Sequence, residues 1–208
     1  MSCLNKIKIK NHQNWLAKWR TPKAMKCYSN KLMDYMHDDL FIQAGVGFIR
    51  ESYAAAHFAN LRCVQKVRLV PGDRPDFQIW TGYCVEGWEF TEALKKGRRR
   101  GDEYRSASKS NMGILKTNVR DSISSDSTKI LDALKESTIK KAKKNYPPNT
   151  RLLIYLNTDD YAYSTPPQNI KDVMIEATKP AKDAFAEVWV LWKEKACPLW
   201  VQGIPVPV

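Results

Sequence analysis

The chain has 208 residues, 43% of them apolar and 27% charged, with only nine glycines. That composition can bury a sizeable core, so disorder is not the default, and no run approaches the ~20 apolar residues of a membrane span. Lys and Arg outnumber Asp and Glu by 34 to 22, a formal charge of +12, so the surface attracts polyanions, nucleic acid before an anionic membrane.

Residues 1–29 are basic and aromatic, and Trp15 and Trp19 fall on one helix face, which predicts a docking helix or a tethered arm. Residues 30–62 predict one long helix capped by Ser29 or Asn30. Phe41, Ala44, Phe48, Ala55 and Phe58 mark its apolar face. Glu51 lies on that same face, where an unpaired carboxylate is costly. It is either paired with an arginine or held there for chemistry.

Val64–Val70 predicts a strand, followed by the turn PGDRP. Asp76–Trp80 and Tyr83–Ala93 predict a hairpin closed by a two-residue loop, Thr81-Gly82. With that loop Trp80 opposes Tyr83 and Asp76 opposes Gly87. The period of two then places Asp76, Gln78, Val85, Gly87, Glu89 and Thr91 on one face. Phe77, Ile79, Cys84, Glu86, Trp88 and Phe90 share the other, oilier face. Asp76 and Glu89 become diagonal neighbours, close enough to share one cation.

Residues 95–111 are a polar, basic stretch with two glycines, and 112–127 are ambiguous. Residues 128–144 predict a helix with Leu131 (or Ile130), Leu134 and Ala142 inward, and lysines at its C-terminal end suit the helix dipole. A strand at 151–157, a helix at 168–183 that ends or breaks near Pro180, and a strand at Glu187–Trp192 follow. Trp189 and Trp192 are expected in the core. The pattern predicts an α/β domain at 30–195, a central mixed sheet flanked by helices, with the arm before it and an apolar, Pro-rich tail at 196–208.

The five cysteines form no C-x-x-C pair and are odd in number, which predicts buried reduced thiols rather than disulfides or a zinc site. The three histidines lack ligand spacing. The first residues, MSCLNKIKIKN, lack the apolar run of a signal peptide, so the expected location is the cytoplasm. No P-loop, dinucleotide fingerprint or serine-hydrolase elbow is present.

Glu51, Asp76 and Glu89 remain as the candidate chemistry. Hard cations such as Mg²⁺ or Mn²⁺ take oxygen ligands and keep several waters, so two or three carboxylates suffice. Basic surroundings would hold a polyanionic substrate that the acids alone would repel.

The run RPDF, then Glu89-Phe90-Thr91, set in the order helix, three strands, helix, strand, helix, strand, resembles the PD-(D/E)xK nuclease superfamily over residues 40–192. The resemblance implies a restriction-endonuclease-like core and metal-dependent hydrolysis of phosphodiester bonds in DNA, or in RNA. It makes Asp76 and Glu89 metal ligands and Glu51 a ligand through water, with Gln78 assisting. The family's lysine two residues after the second acid is Thr91 here, whose hydroxyl can bond a water but brings no charge. Lys95, Lys96 or one of Arg98, Arg99 and Arg100 is expected to supply that charge. Glu92 is a second departure, expected to turn inward or to pair with Arg98. In GRRRGDEYR, Lys96, Arg98, Arg99, Arg100 and Arg105 are expected either to grip phosphates or to form a solvated loop neutralised by Asp102 and Glu103. A homodimer would suit an enzyme that cuts both strands. Two other readings stand beside this one. Thr91 favours a module that binds nucleic acid without cutting it. The Pro-rich tail hints at a structural protein of a phage or mobile-element assembly.

Overall fold

Alternating burial along short, β-branched and aromatic segments builds one mixed sheet, and helices cover both of its faces. The computed structural model describes residues 4–36, 40, 43–72, 74–94, 127–156, 170–192 and 194–207. Among these residues the order is α1 (Lys6–Leu16), α2 (Pro22–Met36), α3 (Gly47–Leu61), β1 (Lys66–Leu69), β2 (Phe77–Trp80), β3 (Val85–Ala93), α4 (Ser127–Ala142), β4 (Arg151–Leu156), α5 (Ile170–Thr178), a 3₁₀ turn (Lys179–Ala181), β5 (Glu187–Trp192), β6 (Lys195–Val201) and β7 (Ile204–Pro205). The seven strands lie side by side in chain order. The β1–β2–β3 and β5–β6–β7 steps are antiparallel, whereas β3–β4 and β4–β5 are parallel. Parallel neighbours need a crossover, and α4 and α5 supply one each.

Two cores sandwich the sheet. Leu16, Met25, Phe58, Val67, Phe77, Ile79 and Trp88 belong to the core shared with α1–α3. Leu134, Leu152, Ile154, Met174, Val188 and Val190 belong to the core under α4 and α5. The expected α/β class and mixed sheet are present, and from α3 to β5 the elements follow the expected order. Trp192 is buried and Trp189 packs partly buried against the first core.

Several local expectations are corrected. Residues 30–62 are not one helix: α2 starts at Pro22, whose fixed φ suits a first turn, and the chain turns before α3, with Gly45 at φ +80°. Ala44 lies exposed in that turn, while Phe48, Ala55 and Phe58 are buried; Phe41 lies outside the described residues. The region set apart as an arm contributes Leu16 and Met25 to the core, and Arg20 bridges Val67 on the edge strand. The tail adds β6 to the sheet and buries Leu199 and Trp200.

The hairpin loop spans four residues, Thr81–Cys84, because Trp80 opposes Val85 rather than Tyr83. Thr81 Oγ1 accepts from the Tyr83 and Cys84 N–H groups at 3.4 and 3.3 Å, and Gly82 takes φ +103°. A slip of two residues preserves the side-chain parity, so the two faces keep their expected composition. The cysteines differ more. Cys27, Cys63 and Cys84 are exposed and Cys197 is half-buried, all as free thiols. Cys63 sits at φ +52° just beyond α3 and Cys84 closes the hairpin loop, so neither lies in a strand. Among the described residues no helix is long and apolar enough to cross a membrane.

Candidate active site

Four elements converge on the middle of β3. Glu51 projects from the first turns of α3, Asp76 enters β2, Glu89 stands on β3 and Lys141 ends α4. Phe77 opposes Trp88, so one further step along that ladder sets Asp76 beside Glu89. The Phe90 N–H donates to Asp76 Oδ2 at 2.6 Å and fixes that carboxylate. Lys141 Nζ donates to Glu89 Oε2 at 2.8 Å and lies 3.4 Å from Asp76 Oδ2. One turn earlier on the same helix face, Ser137 Oγ donates to the Glu92 carbonyl at 3.3 Å, which holds α4 against β3.

The electrostatics are those of crowded acids. Burial pushes the Glu51 pKa up, and the charge of Asp76 pushes it further. Among the described residues no hydrogen bond or ion pair reaches the Glu51 carboxylate. Burial also raises the Glu89 pKa; the hydrogen bond from Lys141 opposes this and Asp76 adds to it. Burial works against the Lys141 ammonium, but Asp76 and Glu89 outweigh it, so its pKa rises and it stays charged. Glu89 Oε1 is buried without a hydrogen-bond partner. Arg74, Asp76, Glu89, Lys141 and Lys144 line an open cleft of about 700 Å³ over this group. Arg74 stacks on the Tyr146 ring at 4.8 Å and donates to the Asn145 carbonyl, so its place on the rim is fixed. The floor is acidic and the rim basic.

Glu51, Asp76 and Glu89 are thus brought together. Thr91 lies half-buried two residues along β3, opposite Ile154. Gln78 is not part of the cleft: its Oε1 accepts from Arg68 Nε and Nη2 at 2.9 and 2.7 Å. Glu92 does not turn inward, because it faces α3 and pairs with Arg50 at 2.9 Å. Lys95, Lys96, Arg98, Arg99, Arg100 and Arg105 lie outside the described residues.

Lys141 is the residue that sequence reasoning missed. A signal existed, since Leu134, Ser137, Thr138 and Lys141 share one helical face, and a lysine on that inward stripe has to meet a carboxylate. Among the described residues no three His, Cys, Asp or Glu side chains are arranged as a metal cage. Asp76 and Glu89, with the unpaired Oε1 of Glu89, still fit a hard cation that binds through two carboxylates and keeps its waters. No family model, curated protein or solved structure matches the chain.

Proposed function

We propose that this cleft hydrolyses phosphodiester bonds of nucleic acid, DNA before RNA, with the aid of Mg²⁺ or Mn²⁺. In this reading the chain carries a degenerate PD-(D/E)xK site on a restriction-endonuclease-like core, and Lys141 stands in for the lysine that Thr91 replaces. The observation that carries the reading is the Lys141 ammonium, 2.8 Å from Glu89 and 3.4 Å from Asp76, reaching the acids from the crossover helix. The strand register that brings Asp76 beside Glu89 supports it too.

Asp76 and Glu89 would hold the cation directly, and Glu51 through a water. When bound, such an ion lowers the pKa of a water and offsets charge on the phosphate. Lys141 stays protonated, so it donates a hydrogen bond and orients the attacking water or stabilises negative charge as it grows. Glu51, whose pKa burial and Asp76 raise and whose carboxylate has no hydrogen-bond donor among the described residues, is placed to accept a proton. Arg74 and Lys144 on the rim draw in the phosphates that the acidic floor repels.

The test is cleavage of labelled single- and double-stranded DNA and RNA with Mg²⁺ or Mn²⁺. The wild type is expected to cut, and Asp76→Asn and Glu89→Gln to lose on the order of 100-fold or more. A specific observation favours a second reading, a module that binds without cutting: the Lys141 ammonium already neutralises the two acids a cation would bridge. Absence of cleavage on every substrate with either metal would move the chain to that reading.

A further inference from the structure

The face of the sheet that carries Glu89 continues across β2 and β1, where no core cluster of the described residues lies against it. Pairing places Trp80 beside Lys66 and Val85, and Gln78 beside Arg68 and Gly87, all on that face. Their alternates Val67, Leu69, Phe77, Ile79 and Trp88 fill the core on the other side. On the open side Lys66 is exposed and Val85 is 49% exposed, while Trp80 and Arg68 are only partly covered.

Three features on this face go beyond solvation. Arg68 is held rigid: its guanidinium stacks on Trp19 at 4.5 Å and bonds Gln78 through Nε and Nη2, which leaves Nη1 for another acceptor. The Trp80 ring makes no stacking or cation–π contact among the described residues. Tyr83, at the tip of the same hairpin, is 93% exposed. Between this surface and the acids Pro75 packs on the strand. A Cβ on Gly87 would meet Pro75 Cγ at 3.3 Å, so Pro75 lies against the glycine. Trp80, Gln78 and Asp76 alternate along one strand, so the tryptophan stands roughly 13 Å from the acid site along β2.

We infer that this face is the docking track for one single strand of nucleic acid, whose bases stack on Tyr83 and Trp80 and whose phosphates meet Arg68 and Lys66. The inference rests on the nuclease reading for the direction of the strand, which runs from the hairpin tip toward Asp76 and Glu89. Stacking on exposed rings is tolerant of sequence, and cations track the backbone, so the track selects strandedness rather than a base order. A rigid duplex cannot present unstacked bases to Tyr83 and Trp80.

The test is fluorescence anisotropy with labelled single-stranded DNA, single-stranded RNA and duplex DNA, in EDTA and across a salt series, so that binding is read without catalysis. The wild type should bind at least one single strand more tightly than duplex. Tyr83→Ala, at a position too exposed to matter for folding, should weaken single-strand binding about tenfold and leave duplex binding unchanged. Arg68→Ala should reduce the slope of log K against log salt by about 0.7. The inference is overturned if the wild type binds no single strand, if it prefers duplex, or if both variants bind single strands like the wild type. Cleavage is read separately with Mn²⁺. Cutting with unchanged variant affinities removes the track and leaves the nuclease reading. Weakened variant affinities without cutting remove the nuclease reading and leave the track.

Discussion

Two buried glutamates on β3 stand three residues apart on opposite faces, and they are treated in opposite ways. Glu86, 6% exposed, is saturated: Arg62 donates at 2.7 Å, the Trp88 indole at 3.2 Å, and Arg151 lies 3.9 Å away. The Arg62 guanidinium is itself packed against the rings of Phe58, Trp88 and Trp189. Glu89, 2% exposed, has one donor, one oxygen without a partner, and Asp76 close enough to raise its pKa beyond what burial does. A buried charge with a full complement of donors specifies packing. One left short of donors, beside a like charge and lining a cleft, is the arrangement on which the proposed metal site rests.

Exchanging the charges sharpens that contrast most. Glu86→Gln leaves Arg62 without its carboxylate, while Arg151 keeps Glu187 at 2.7 Å, and should cost about 3 kcal/mol in urea unfolding at pH 7. Glu89→Gln removes a carboxylate that its surroundings disfavour and should change stability by less than about 1 kcal/mol. Equal losses at the two positions would erase the distinction.

Glu51→Gln has a smaller effect whose pH dependence is diagnostic. The folded-state pKa of Glu51 is raised above 4.5, so its ionisation disfavours the fold. Below that ordinary value the carboxyl is neutral in both states and the variant should match the wild type. As pH rises from the ordinary value through the raised pKa, the wild type loses stability that the variant keeps, and the variant should be the more stable at pH 8. Denaturation midpoints at pH 4 and pH 8 check the sign.

Smaller still is the effect of a cation on the folded state. Excess Mn²⁺ should raise the wild-type Tm by about 3 °C and leave Asp76→Asn unmoved. Removing the ion with EDTA should reverse the shift.

Much of the site was legible because strand parity is robust. The hairpin loop proved two residues longer than Thr81-Gly82, yet Asp76, Gln78, Gly87 and Glu89 kept a common face, since a slip of two does not invert the pleat. Glu51 was legible as an acid on an apolar stripe. The break between α2 and α3 was not, because the apolar spacing of Ala44 and Phe48 runs across the turn at Gly45 without a change of period. The charge missing at Thr91 was expected from Lys95, Lys96 or Arg98 to Arg100, close in sequence, whereas the crossover from β3 to β4 brings Lys141 at the end of α4 back to Glu89. Its place in a lysine-rich helix end disguised it as a complement to the helix dipole. Nothing local distinguished Glu86 from Glu89 either, since their difference lies in donors from α3 and β4 on one side and α4 on the other.

The most direct measurement is Mn²⁺-dependent cleavage by three proteins: the wild type, Lys141→Met, and the double variant Lys141→Met with Thr91→Lys, which returns a lysine to the strand. The account predicts cutting by the wild type, a loss on the order of 100-fold in Lys141→Met, and partial recovery in the double variant. Cleavage by Lys141→Met at the wild-type rate would contradict it, because the ammonium beside Asp76 and Glu89 would then have no part in the chemistry.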